Sequence, residues 1–529
     1  METRCRRRLV MLGLFFLLGG CGLAYRLYRI QGVEHLAWAQ KAVQQRSDSL
    51  ALYRQRGAIL DCHGQPFTGR DYRTCLAVFP ELLTAEERKE LTPLLAAHQL
   101  RLTGKAPLLV ANPGTDLVRL AEARERSGVT FCSVPLRYGR QPLAQHLLGY
   151  LDPATGRGLA GLEAVYDREL DSGRMVKLTV LTDALRRPIP GLGFRYQEES
   201  TARAGRNLVL TLDLDLQRKV ETLLDRAGVV KGAVVLMEVG TGKIRALASR
   251  PAFDPYAPEQ SRNAPDRPLV NRALQAYPPG ELFQLVIAAA ALESGKFKPE
   301  SRFDETKSGY GLLTLSQAFA YAATPVFQEV MAALDQTALL ALAEACGLGE
   351  GGRLGLPGEG TGRLSGKEEG GVAGLVSGAK GIAVTPLQMA ALLQVVAGHG
   401  RYYPPAVVEG WQEPDGRMAE AAWEKPAAGR QVLAAPTVAA LQKMLAATVL
   451  YGRGRPAQIR QGAAGAGGAV LSGPAGEGPV AYSWFAGYAP VQNPRLVGVV
   501  FLEEDPGGAE KAALLFAALM ERIGSGLGF

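Results

Sequence analysis

The chain is poor in the residues that build metal centres and redox motifs. It has six Cys and five His among 529 residues. No C-x-x-C occurs, and no Cys/His cluster stands at metal-ligand spacing. No metal and no other cofactor is expected. Cys62 and Cys75 could pair only if the fold brings them within reach, so free thiols are the default. Long basic stripes interleaved with aromatics are also missing outside the N-terminus. The formal net charge of +8 therefore reads as that of a mildly basic globular protein with no nucleic-acid partner. That charge is compatible with contact to anionic wall or lipid polymers. With 47% hydrophobic and 21% charged residues, the chain is not disordered as a whole. Internal repeats are absent.

The length suggests about three units. Arg4, Arg6, Arg7 and Arg8 precede an apolar run from Leu9 to Tyr25. At 1.5 Å per residue that run spans roughly 26 Å, the short end for a membrane helix. Arg26 and Arg29 can snorkel and extend it. The basic cluster predicts a single pass through the cytoplasmic membrane, N-terminus inside and the bulk of the chain outside. A cleaved signal peptide and lipidation at Leu18-Gly19-Gly20-Cys21 are the alternatives.

Residues 31–55 read as an amphipathic helix, with Leu36, Ala39, Ala42, Val43 and Leu50 on one side. Glu86 to Leu95 and Leu117 to Arg124 are helix candidates, and 198–206 a linker. Strand Leu208 to Leu212, helix Asp213 to Arg226 and a hairpin around Gly240-Thr241-Gly242 open a second unit. Leu285 to Leu292 is a helix buried on all sides. Pro386 to Val396 is another helix. Trp484 to Tyr488 with Leu496 to Leu502 form a closing hairpin, and Lys511 to Ile523 a last helix. The Gly-rich stretches 349–376 and 462–479 read as exposed loops. Strands first, helices in the middle and strands last imply an α+β fold whose sheet is closed by distant segments.

Several ordered segments carry a family likeness. They are Arg56-Gly57-Ala58-Ile59-Leu60-Asp61, His146-Leu147-Leu148-Gly149-Tyr150, Gly161-Leu162-Glu163, Thr211-Leu212-Asp213, Pro251-Ala252-Phe253-Asp254-Pro255, Val384-Thr385-Pro386-Leu387-Gln388 and Trp484-Phe485-Ala486-Gly487-Tyr488-Ala489-Pro490. Together they resemble class B penicillin-binding proteins, the D,D-transpeptidases that cross-link peptidoglycan. The resemblance implies one transmembrane helix in 1–30. An elongated α+β pedestal would occupy 31–205, and a transpeptidase-like domain of the penicillin-binding-protein/β-lactamase type, an antiparallel sheet with helices, 206–529.

Activity in that family rests on S-x-x-K, S-x-N and K-T-G. A Ser at a helix start and a Lys one turn later share a face, and the amine takes the hydroxyl proton during attack. The third motif binds the substrate carboxylate and helps form the oxyanion hole. In this sequence Pro278-Pro279-Gly280-Glu281-Leu282-Phe283-Gln284 puts Glu281 at the Ser position and Gln284 at the Lys position. The second site has Ala322 for Ser and Thr324 for Asn. The best match to the third is Leu471-Ser472-Gly473, with Leu471 in place of Lys. An amide cannot serve as a base at ordinary pH.

Ser377-Gly378-Ala379-Lys380, Ser261-Arg262-Asn263 and Lys307-Ser308-Gly309 satisfy the bare patterns, but in the wrong order and flanks, and read as loop residues. Glu281 in a first helical turn is also what the helix dipole favours. The expected role is a catalytically inactive scaffold or regulator of wall biogenesis, in cell shape or division. By resemblance it would contact a polytopic wall glycosyltransferase, other wall-synthesis proteins or peptidoglycan fragments. The alternative is a divergent transpeptidase or muropeptide hydrolase using Glu281.

Overall fold

The structure is a computed structural model. It describes residues 2–38, 47–102, 104–122, 128–153, 155–183, 187–189, 192–199, 205–349, 354–365, 371–419, 428–472, 480–505 and 507–527. The chain folds into two units. One comprises Met1–Gln55, Tyr72–Leu136 and Gly173–Arg203. The other comprises Arg56–Asp71, Arg137–Ser172 and Ala204–Phe529, so it draws on segments from within the 31–205 stretch.

The first unit begins with a helix, Glu2–Tyr28, whose apolar side chains from Leu9 to Tyr28 are exposed. It is long and apolar enough, together with the π-helical turn Arg29–Val33, to cross a membrane. The amphipathic helix expected over 31–55 does not extend through that range, although residues 35–38 are helical. Residues 39–46 lie outside the described set, and Ser47–Arg56 is a β-strand. Leu50 and Leu52 alternate inward there, a period of two rather than 3.6. That strand pairs with Asp171–Leu181, which pairs in turn with Phe194–Glu199, in a three-stranded sheet. A second sheet holds Asp71–Val78 between Leu108–Ala111 and Val129–Leu136. Helices Ala85–Ala97 and Thr115–Glu122 form as expected, the first opened by a Thr84/Glu87 capping box.

The core of the second unit is a five-stranded sheet. Helix α1 (Leu214–Arg226) starts where Asp213 accepts from the backbone N–H groups of Asp215 and Leu216. Strands β1 (Gly232–Glu238) and β2 (Ile244–Arg250) follow as a hairpin. Then come α2 (Gln284–Glu293), α3 (Pro386–Ala397) and α4 (Ala435–Leu450). Strands β3 (Ala464–Ser472), β4 (Val480–Ala489) and β5 (Leu496–Glu503) precede α5 (Gly508–Leu527). The sheet order is β2-β1-β5-β4-β3, antiparallel throughout. Chain-distant hairpins thus meet at β1 and β5, as the strands-first, strands-last pattern implied.

Both faces of this sheet are covered. Along β5, Val497, Val499 and Phe501 join a core that contains α3, while Leu496, Val500 and Leu502 join one that contains α5. Every residue of α3 is buried, its start fixed by Pro386 and a Thr385/Gln388 capping box. In α2 only Ala290, Leu292 and Glu293 are not buried. The run 462–479 is not a loop throughout. Ala464–Ser472 is the edge strand β3, paired along its length with β4, and 473–479 lie outside the described residues. Of 349–376, residues 349, 354–365 and 371–376 are described. They hold a two-residue strand, Arg363–Leu364, and a short helix, Gly371–Val376, in which Leu375 and Val376 are buried.

Two of the family-like segments, Arg56–Asp61 and Gly161–Glu163, meet within this unit. Arg56 pairs with Glu163 at 2.9 Å and with Asp167 at 2.8 Å, and Arg137 pairs with Glu163 at 2.6 Å. The Glu163 side chain is fully buried. Cys62 and Cys75 are both free thiols.

Candidate functional site

The start of α2 is clamped from three directions. The Trp484 indole N–H on β4 donates to the Pro278 carbonyl at 2.9 Å. Gly280 has φ +62°, and its N–H donates to the Gly378 carbonyl at 3.3 Å. A methyl group at Gly378 would lie 2.1 Å from the Gly280 carbonyl oxygen. One at Gly468 would lie 2.7 Å from both the Leu282 nitrogen and the Pro279 oxygen. Backbones approach here at distances only glycine permits.

Glu281 lies in a single 3-10 turn, Gly280–Phe283, and Gln284 is the first residue of α2. Glu281 Oε2 accepts from the Ala469 backbone N–H at 2.9 Å. That N–H sits on edge strand β3, which has no further strand beyond it among the described residues. Gln284 is 1% exposed, and its side-chain nitrogen has no hydrogen-bond partner among the described residues. A buried donor left unpaired costs about 1–3 kcal/mol.

Ala322 is the left-handed C-cap (φ 53°) of helix Leu315–Tyr321. Thr324 opens the next helix, Thr324–Ala333, which packs against α2. Neither places a Ser hydroxyl or an Asn amide there. On β3 the structure brings Gly468 and Ala469 to the helix start. Leu471 lies further along the strand and is 69% exposed, Ser472 ends the strand, and Gly473 lies outside the described residues. The Gly/Ala-rich run carries no alternation by which sequence could set this register.

Of the bare pattern matches, only Ser377–Lys380 comes near, through Gly378 against Gly280. The Ser377 hydroxyl donates to the Gly374 carbonyl at 3.1 Å, and Lys380 is exposed. Among the described residues no hydrogen bond joins Ser377 to Lys380 or Glu281. Ser261 ends an isolated 3-10 turn, and Lys307 sits exposed in another.

A cavity of about 460 Å³ opens beside this region. His146, Arg267, Asn271, Tyr277, Pro278 and Tyr482 are among its lining residues, but Glu281 and Gln284 are not. Burial pushes His146 down to about 4, so its neutral ring donates through Nε2 to the Pro268 carbonyl at 2.7 Å.

The family model for the penicillin binding protein transpeptidase domain matches residues 232–521, more than half of the chain. The chain belongs to that family. Its relatives place it with the class B penicillin-binding proteins. It is 27% identical to stage V sporulation protein D of Bacillus subtilis, over 98% of this chain and 85% of that protein. It is 26% identical to peptidoglycan D,D-transpeptidase FtsI of Escherichia coli, over 51% of this chain and 48% of the relative, about half its length. Among solved structures, penicillin binding protein 3 of Mycobacterium tuberculosis matches with a TM-score of 0.63 at 22% identity, covering 91% of this chain and 97% of that one. This last likeness is one of fold.

Proposed function

We propose that this family member is a non-catalytic protein of cell-wall biogenesis, anchored in the cytoplasmic membrane and acting by binding. The observation that carries the proposal is the hydrogen bond from the Ala469 N–H to Glu281. A strand-edge N–H beside a helix start is the kind of donor that would receive a substrate oxygen. Here a side chain of the protein itself fills it. One helical turn on, Gln284 offers a buried amide where acyl transfer needs an amine base. Loss of a nucleophile and base that work as a unit costs on the order of 10⁶ in rate, about 8 kcal/mol of barrier.

The relatives named for sporulation and for peptidoglycan D,D-transpeptidation support a role in wall construction. In this proposal residues 1–30 anchor the chain with the N-terminus inside, as the basic cluster before the apolar helix favours. Residues 31–205 and 206–529 then stand outside and dock wall-synthesis proteins, a polytopic glycosyltransferase first among them, or peptidoglycan fragments. Incubation with fluorescent penicillin, under conditions that label an active homologue, tests it. No labelled band is expected, and a stoichiometric one contradicts the proposal.

A further inference from the structure

The geometry points to a divalent-cation site, of the zinc class, made by Cys62, His63 and Asp213. These three offer one ligand atom each, all within 4.8 Å of one another. Cys62 Sγ lies 3.4 Å from His63 Nδ1, and that nitrogen lies 3.8 Å from Asp213 Oδ2. Tetrahedral zinc takes sulfur at about 2.3 Å and nitrogen or oxygen at about 2.0–2.2 Å. The edges of such a tetrahedron are then roughly 3.5 Å for S···N and 3.4 Å for N···O. The observed separations match the first edge and exceed the second by a few tenths of an ångström.

The surroundings hold the ligands in place. Asp213 uses its Oδ1 to cap α1, accepting from Asp215 and Leu216, which leaves Oδ2 turned toward His63. Asp61 fixes the turn that carries Cys62 and His63. Its Oδ1 accepts from the backbone N–H groups of His63 and Gln65, and its Oδ2 from that of Leu214. Asp61 is thus a positioning residue rather than a fourth ligand. Arg245 is committed to Glu238 and to the Thr211 carbonyl. His63 is 62% exposed and the Asp213 side chain 19%, so an ion can enter from solvent.

Three protein ligands leave a fourth position for water, the arrangement of an exchangeable site rather than a closed structural one. Bound metal would tie the Asp61–Gly64 turn to the start of α1, both in the second unit. Sequence spacing could not show this, because two ligands are adjacent and the third lies far along the chain. The site does not depend on whether the α2 region is catalytic.

The test uses the purified full-length protein in detergent, titrated with Zn²⁺ by calorimetry and with Co²⁺ by absorbance. One equivalent per chain is expected, with a sulfur-to-cobalt charge-transfer band. Cys62→Ser should abolish the band and weaken Zn²⁺ at least tenfold, and His63→Ala should weaken it likewise. Both residues lie in a surface turn, and a matched melting curve without metal confirms that each variant folds. No stoichiometric binding, or binding that Cys62→Ser leaves unchanged, overturns the site.

Discussion

Glu281 Oε2 stands 2.9 Å from the Ala469 nitrogen, a side-chain hydrogen bond that joins the start of α2 to the edge of the sheet. In the proposed reading it ties a carboxylate to the strand-edge donor that would otherwise receive a substrate oxygen. The catalytic question therefore turns on side chains. The clamp around Gly280, Gly378 and Gly468 holds the backbone in place whichever side chain stands at 281.

If Glu281 and Gln284 stand where the family's nucleophile and base stand, as proposed, supplying Ser and Lys at these positions should not restore the reaction. In Glu281→Ser/Gln284→Lys the second site still has Ala322 and Thr324, and no Lys faces the helix start from Gly468 or Ala469. Fluorescent penicillin should label this double variant at less than a tenth of the level of an active homologue. Full labelling would show that the remaining positions suffice.

Gln284 carries a buried amide nitrogen without a partner among the described residues. Gln284→Met keeps the volume and removes the unpaired donor, so it should stabilise the fold by about 1 kcal/mol. Thermal melting measures this. A clear loss of stability would mean that the amide is satisfied in solution.

Sequence and structure agree where periodicity was strong. The runs Leu208 to Leu212, Leu285 to Leu292, Pro386 to Val396 and Leu496 to Leu502 became the elements their patterns specified. The run 464–472 was misleading because Gly and Ala are there for close approach to Pro279 and Leu282, a demand that looks like loop composition. Residues 47–56 look helical in a wide window, but Leu50 and Leu52 face inward with a strand's period. The Glu281–Ala469 contact was not legible at all. It joins residues far apart in the chain and depends on β3 register, which nothing in the run 464–472 sets.

Glu163 is the buried anion shared by Arg56 and Arg137. Glu163→Gln leaves Arg137 without its counter-charge and Arg56 with Asp167 alone, and should cost about 3 kcal/mol. Denaturant unfolding of the full chain measures the loss. A cost below about 1 kcal/mol would mean that the network contributes little.

His146 is held neutral by burial, at about 4 in the fold against 6.5 for the free side chain. Between those values the unfolded chain binds the proton and the folded chain does not, so stability falls as pH falls. The loss should set in below about pH 6.5 and level off near pH 4, reaching on the order of 3 kcal/mol. His146→Gln should flatten this part of the profile. An unchanged slope would assign the acid sensitivity to other groups.

The most direct test of the inactive-site account is intact mass spectrometry of the full-length protein after prolonged exposure to benzylpenicillin. The account predicts an unchanged mass. A single penicilloyl adduct mapped to a serine, Ser377 beside the Gly280 clamp above all, would contradict it.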